Sequence, residues 1–218
     1  MSSTFVPTAE AAFIAGLSDR DMNRVLDEHL VPDDLVQTDR NVRLFSRLSA
    51  AFARFYFDAE PFYAAPLRKL VLVELATRVH KSSKREVLLS LKRSNDMDWL
   101  VVIPFGRVDV STFVADAAAR AQQVEHAHDL VKTDPEVMGG MPVFAGTRVP
   151  IEIVTSSLEK GVDAKRLQKA YAFLTDEHVE AARVYAKVHP RRGRPRLVSE
   201  TNPGWPVKSR TVVRPART

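Results

Sequence analysis

The sequence predicts an α+β protein that is mainly helical, and three observations carry that prediction. Apolar residues recur at three- and four-residue spacing through most of the chain, as the buried stripe of a helix requires. Strand-like runs are few, short and bounded by turn-forming residues. Residues 134–150 combine Pro135, Gly139, Gly140, Pro142, Gly146 and Pro150, a punctuation that shapes a hairpin rather than a helix.

At 218 residues with 45% hydrophobic content, the chain has room for one large or two small packed domains. No apolar run approaches the roughly 20 residues of a spanning helix, and residues 1–10 lack the basic and apolar regions of a signal peptide, so a cytoplasmic location without membrane contact is expected. The absence of cysteine excludes disulfides, thiol nucleophiles and thiolate metal sites. The net charge of +5 is unevenly placed, because residues 190–218 hold seven Arg and one Lys against one Glu, which leaves residues 1–189 slightly acidic. That tail also holds Pro190, Pro195, Pro203, Pro206 and Pro215, so an extended segment is expected.

Residues 7–16 read as a short helix ending at a glycine, and residues 17–29 as a second, a helix-turn-helix pair. Ser18 suits the cap of the second helix with Asp21 three residues on, while Leu17, Met22, Val25 and Leu26 form its inner stripe. Arg20, Asn23, Arg24 and Asp27 are left on the outer face, where Arg can read guanine and Asn adenine in a major groove. The same pattern also fits two helices that simply pack, their arginines paired with Asp19, Asp21 and Asp27. The run Thr8-Ala-Glu-Ala-Ala, with Ala15-Gly-Leu-Ser18 after it, resembles the start of MerR-like winged helices. That resemblance implies DNA binding, with residues 40–47 as the wing and Arg40, Arg43 and Arg47 on phosphates.

Helices are expected at 49–59 and 66–81, the latter with Leu67, Leu70, Val71, Glu74 and Leu75 on a mostly apolar face. Strands at 86–92, 99–103 and 107–110, divided by turn residues at 94–98, predict a small antiparallel sheet. Trp99 and Phe105 lie among aliphatic neighbours and read as packing residues rather than a base-stacking platform. The alanine-rich stretch 111–130 reads as one long connecting helix that permits close approach.

In residues 131–189 the chain turns at Gly139-Gly140, forms a strand over 141–144, reverses at Ala145-Gly146 and pairs 147–149 back against it. Pro150 opens a helix, Gly161 ends it, Asp163 caps a second, and Thr175 with His178 opens a third. Their buried positions are Ile151, Val154 and Leu158, then Leu167, Ala170 and Tyr171, then Val179, Ala182 and Tyr185. The module has a helix-turn-helix-like outline, but Asp176 and Glu177 at the start of its third helix would repel phosphate and favour a protein contact. The patterns D-P-x-x-x-G-G-x-P-x-x-x-G-T-R-V, L-x-x-G-V and L-T-x-E-x-x-x-A-A resemble Domain of Unknown Function 433, a module carried by antitoxins. The whole layout resembles VapB-type antitoxins, which implies a PIN-like ribonuclease toxin as partner.

A catalytic constellation is missing. His126 and His128 are two residues apart and point away from each other, and His29, His80, His178 and His189 stand isolated in the sequence. No phosphate-binding glycine loop or nucleophile elbow occurs, so neither an enzyme nor a cofactor or metal is expected. In the tail, Arg191, Arg192, Arg194 and Arg196 suit carboxylates or phosphates. Arg192-Gly193-Arg194-Pro195 resembles an AT-hook for the minor groove, whereas the antitoxin resemblance directs these arginines and Trp205 to the acidic site of the toxin; a solvated basic tail is the third reading.

The expected organisation is a winged helix-turn-helix with a β extension at 1–110, a connecting helix at 111–130, a hairpin plus three helices at 131–189, and the basic tail at 190–218. The expected function is that of a homodimeric type II antitoxin that neutralises a PIN-like ribonuclease and represses its own operon by binding operator DNA. The alternative is a stand-alone DNA-binding regulator with no toxin. The short strands at 141–149 are the expected dimer contact, since free strand edges need covering.

Overall fold

The computed structural model describes residues 4–104 and 106–190. It is mostly helical with three small antiparallel sheets, as the α+β expectation requires. The first sheet contains β1 (Phe5–Pro7), β2 (Val36–Asp39) and β3 (Val42–Ser46) in the order β1-β3-β2. The first strand was not anticipated, because three residues ending in proline carry no alternation. Between β1 and β2 come α1 (Thr8–Ala15) and α2 (Asp19–Asp27). The β2–β3 connection is a two-residue turn in which Arg40 (φ 44°) and Asn41 (φ 65°) are both left-handed, as a hairpin that matches strand twist demands.

Next come α3 (Arg47–Asp58), α4 (Ala65–Lys81) and α5 (Arg85–Leu89). Residues 86–92, expected as a strand, are helix and turn instead. Leu88 and Leu89 are both buried, which adjacent strand positions facing opposite sides achieve less readily than a helical turn, and Leu91 (φ 61°) ends the segment. The middle sheet therefore has two strands, β4 (Leu100–Ile103) and β5 (Gly106–Asp109). In α4 the buried side is Val71, Leu72, Leu75 and Val79, whereas Leu70 and Glu74, expected to face inward, are exposed. Trp99 packs edge-on to Phe52 with its indole N–H donating to the Ser94 carbonyl at 2.6 Å, so it is a packing residue; Phe105 lies outside the described residues.

Helix α6 (Ser111–Leu130) is the predicted long helix, yet it is not a spacer. Val114, Ala117, Ala121, Val124 and Ala127 are buried, and the small side chains let α1, α3 and α9 (Asp176–Val188) all approach it. The C-terminal part has β6 (Val131–Lys132), β7 (Val143–Phe144), α7 (Ile151–Glu159) and α8 (Ala164–Ala170) ahead of α9. Helix α9 is buried on two faces: Ala181, Val184 and Val188 join the large N-terminal core, while Val179 and Ala182 join a second core with Phe144, Val154 and Leu167. Ala170, expected inside, is exposed.

At the centre of the large core Arg47 is only 2% exposed. Its guanidinium binds Glu10 of α1 at 3.1 Å and Glu125 of α6 at 2.5 Å. Burial raises the Glu10 carboxyl above its ordinary 4.5, and Arg47 acts against that rise. Removing one partner of a buried pair leaves the other charge uncompensated. Arg47→Ala should therefore lose about 3–5 kcal/mol in chemical denaturation, and the uncharged pair Arg47→Met with Glu10→Gln should lose clearly less.

Candidate nucleic-acid interface

The α1–α2 corner is built on Gly16, whose φ of 65° ends α1 in a left-handed turn. Two arginines from other helices secure the corner: Arg54 donates to the Gly16 carbonyl at 2.8 Å and Arg120 to the Ile14 carbonyl at 3.4 Å. A Cβ at position 16 would lie 3.0 Å from Arg120 Nη1, the movable end of a side chain, so the left-handed backbone is what calls for glycine. Ser18 then caps α2, accepting from the Asp21 N–H at 3.1 Å and donating to the Asp21 carboxylate at 2.6 Å. Met22 and Val25 are fully buried, with Leu17 and Leu26 half-buried beside them, as the spacing required.

That geometry fixes where the expected DNA-contacting side chains sit. Arg20 is exposed and holds no ion pair among the described residues. Arg24 chelates Glu28 through Nε and Nη2 at 2.8 and 3.3 Å, with its guanidinium 5.2 Å from the Phe57 ring. The hydrogen bonds to Glu28 raise the Arg24 pKa, and those from Arg24 hold the Glu28 carboxyl below its usual value. Arg43 reaches from β3 to α2, donating to Asn23 Oδ1 at 3.0 Å and pairing with Asp27 at 2.8 Å. The strand pair is thereby tied to the exposed face of α2. Arg40 stands exposed at the hairpin tip.

Arg47 is the exception. It was expected to reach phosphates, but the chain passes from strand to helix at Ser46–Arg47 and turns its side chain into the core. The expected wing placed Arg40, Arg43 and Arg47 together on phosphates, whereas turn, strand and helix send the three in different directions. A groove of about 480 Å³ runs between α2 and the hairpin tip, bordered by Asp19, Asn23, Asn41, Arg43 and Pro190. Pro190, which precedes the basic tail, thus sits beside this face. Arg191, Arg192, Arg194, Arg196 and Trp205 lie outside the described residues.

In the C-terminal part Gly139 (φ 63°) and Gly140 (φ 80°) make the expected turn. The chain reverses at Gly146, with Thr147 N–H on the Phe144 carbonyl at 3.0 Å and Phe144 N–H on that of Val149 at 3.1 Å. The ladder, however, joins β7 to β6, pairing Val131 with Phe144 and Lys132 with Val143. With β6 on one side and Val149 and Pro150 on the other, β7 has no free edge, which removes the reason for placing a dimer contact there. Asp163 caps α8, and Thr175 with His178 forms a reciprocal capping box on α9. A cleft of about 590 Å³ lies between this reversal, α7 and α9, bordered by Thr133, Pro142, Ile151, Glu159, Tyr185 and His189.

His189, which stands isolated in the sequence, is a partner of His128 in the fold. His128 Nε2 and His189 Nε2 lie 2.9 Å apart, joining the ends of α6 and α9, and His189 also packs on Tyr185 at 4.3 Å. One ring must donate and the other accept, so at least one is neutral. Among the described residues no group of three His, Asp or Glu side chains surrounds a possible metal position. Burial, then the Arg47 charge, hold His128 below 6.5; burial, then His128, do the same to His189. Because the unfolded chain then binds more protons, this pair contributes stability above about pH 6.5 that is lost as pH falls through the lower folded values. Glu10, with a raised pKa, works in the opposite sense. The denaturation midpoint should fall between about pH 7.5 and 5.5, and His128→Gln with His189→Gln should flatten that fall.

Residues 131–186 match the family model described as "Protein of unknown function (DUF433)". No solved structure matches the chain. Over 211 residues it is 31% identical to "Uncharacterized protein y4eO" of Sinorhizobium fredii (strain NBRC 101917 / NGR234), an alignment covering 96% of this chain and 93% of that protein. The chain therefore belongs to the same family as y4eO, with a DUF433 domain at residues 131–186.

Proposed function

We propose that this protein is a DNA-binding antitoxin of a type II toxin–antitoxin pair. It represses its own operon through α2 and the β2–β3 hairpin, and it neutralises a PIN-like ribonuclease through its C-terminal half. The observation that carries the DNA reading is the order strand, helix, left-handed turn, helix, hairpin over residues 5–46, with Arg43 locking the hairpin to α2. That order resembles a MerR-like winged helix, in which the second helix would enter the major groove and the hairpin would lie on the backbone. Arg20 and Arg24 are then the base-reading residues, Asn23 and Arg43 set the angle between helix and wing, and Arg40 contacts phosphate. The toxin reading is supported by the likeness of residues 131–186 to DUF433, and by the acidic start of α9, where Asp176 and Glu177 disfavour DNA. Arg191, Arg192, Arg194, Arg196 and Trp205 would engage the toxin, with guanidinium groups occupying the carboxylates that hold its metal. Neutralisation of this kind needs neither catalysis nor a cofactor in this chain.

One observation favours the second reading, a stand-alone regulator whose AT-hook-like tail also binds DNA. Pro190 borders the groove between α2 and the hairpin, so the basic tail starts next to the proposed DNA face.

On DNA from upstream of its own reading frame, Arg20→Ala and Arg24→Ala should each weaken specific binding by about 1–3 kcal/mol. Arg40→Ala should weaken binding to all sequences alike and lower the slope of log affinity against log salt by about 1. Fluorescence anisotropy across a salt series checks both, and equal loss on random DNA would make Arg20 and Arg24 phosphate contacts instead. Co-expression with the adjacent reading frame, tagging this chain alone, separates the two functions. The antitoxin reading expects a co-purifying ribonuclease that is lost on deleting residues 190–218. No partner in either case, together with a salt slope reduced by the deletion, would favour the stand-alone regulator.

A further inference from the structure

Helix α4 exposes two large apolar residues on the side opposite its buried face, which a helix at the surface of a monomer does not need. Its inner side is Val71, Leu72, Leu75 and Val79, all buried. On the opposite side Leu70 is 56% and Val73 is 55% exposed, in line with exposed Pro66, Thr77 and His80. These outward positions are four, three, four and three residues apart, the alternating spacing of a two-helix seam. Phe62, just before the helix, is 79% exposed.

The flanks of the stripe identify its occupant. At 100° per residue the stripe centres between Leu70 and Val73, with Lys69 about 70° to one side and Glu74 about 70° to the other. We propose that this face pairs with α4 of a second copy of the chain, the two helices running parallel. In that orientation the Lys69 flank of one copy meets the Glu74 flank of the other, twice across the two-fold axis. Antiparallel pairing would set Lys69 against Lys69 and Glu74 against Glu74. Both side chains have local contacts compatible with this: Lys69 reaches the Glu28 carbonyl at 3.4 Å, and Glu74 holds Arg78 at 3.0 Å through Oε1 alone. The Lys69 contact also connects the seam to the end of α2, so pairing would fix the spacing of the two exposed α2 faces. This surface would serve the homodimer expected from the sequence, and it rests neither on DNA binding nor on a toxin. The seam extends over about 22 Å of helix, which makes for a modest, concentration-dependent dimer rather than a permanent one.

Sedimentation equilibrium of the full chain without DNA, over micromolar concentrations, tests it. A monomer–dimer equilibrium is expected, with Leu70→Asp or Val73→Asp weakening dimerisation at least tenfold while the circular dichroism spectrum stays unchanged. Lys69→Glu and Glu74→Lys should each weaken the dimer, and the two together should restore it. A wild-type chain that stays monomeric, or a dimer indifferent to both aspartate substitutions, would overturn the proposal. A dimer that Val73→Asp abolishes but the double charge exchange does not restore would overturn the parallel arrangement.

Discussion

The architecture turns on the buried guanidinium of Arg47. It stands where β3 becomes α3, and through Glu10 and Glu125 it binds α1 and the long helix α6. A charge this deep is tolerated only with partners, so the segments that supply those partners must arrive together. The ion pairs specify position more than they add stability, since apolar residues of similar volume often serve as well. In this protein they join the start of α3, directly after the hairpin, to α1 and α6.

A second consequence concerns the DUF433 domain. Its last helix is shared: one face of α9 completes the domain's own small core, while Ala181, Val184 and Val188 enter the core formed with α1, α3 and α6. The domain therefore does not hang from a linker. Residues 131–186 and the N-terminal helices are joined by continuous packing, with the His128–His189 contact at the end of that seam. A partner seated on the cleft between α7 and α9 would act on a helix that also touches α1. That provides a physical route by which toxin capture and operator binding can influence each other under the proposed function.

Features set by neighbours in sequence were legible before the structure. Gly16 ending a helix, Ser18 with Asp21, Asp163, and Thr175 with His178 each act within four residues, and each occurs as read. The family resemblance of residues 131–186 rested on similar local punctuation. What escaped the sequence depends on distant partners. Arg47 looked like one more surface arginine, because Glu125 lies 78 residues away. Residues 86–92 show an apolar run too short to separate helix from strand by period. The apolar positions of α4 were assigned to one face because nothing local separates an inner stripe from an outer one. The histidine pair was invisible for the same reason, its members lying 61 residues apart. At the site itself, Arg20 and Arg40 stand open as read, Arg24, Asn23 and Arg43 are engaged with α2 carboxylates and with each other, and Arg47 is withdrawn.

Hydrogen exchange of the full chain, with and without the DNA upstream of its own reading frame, tests the account most directly. Slowed exchange concentrated in residues 18–28 and 36–46 is the result expected if α2 and the hairpin form the DNA face. Exchange unchanged in those segments, or slowed only within residues 131–188, would contradict it.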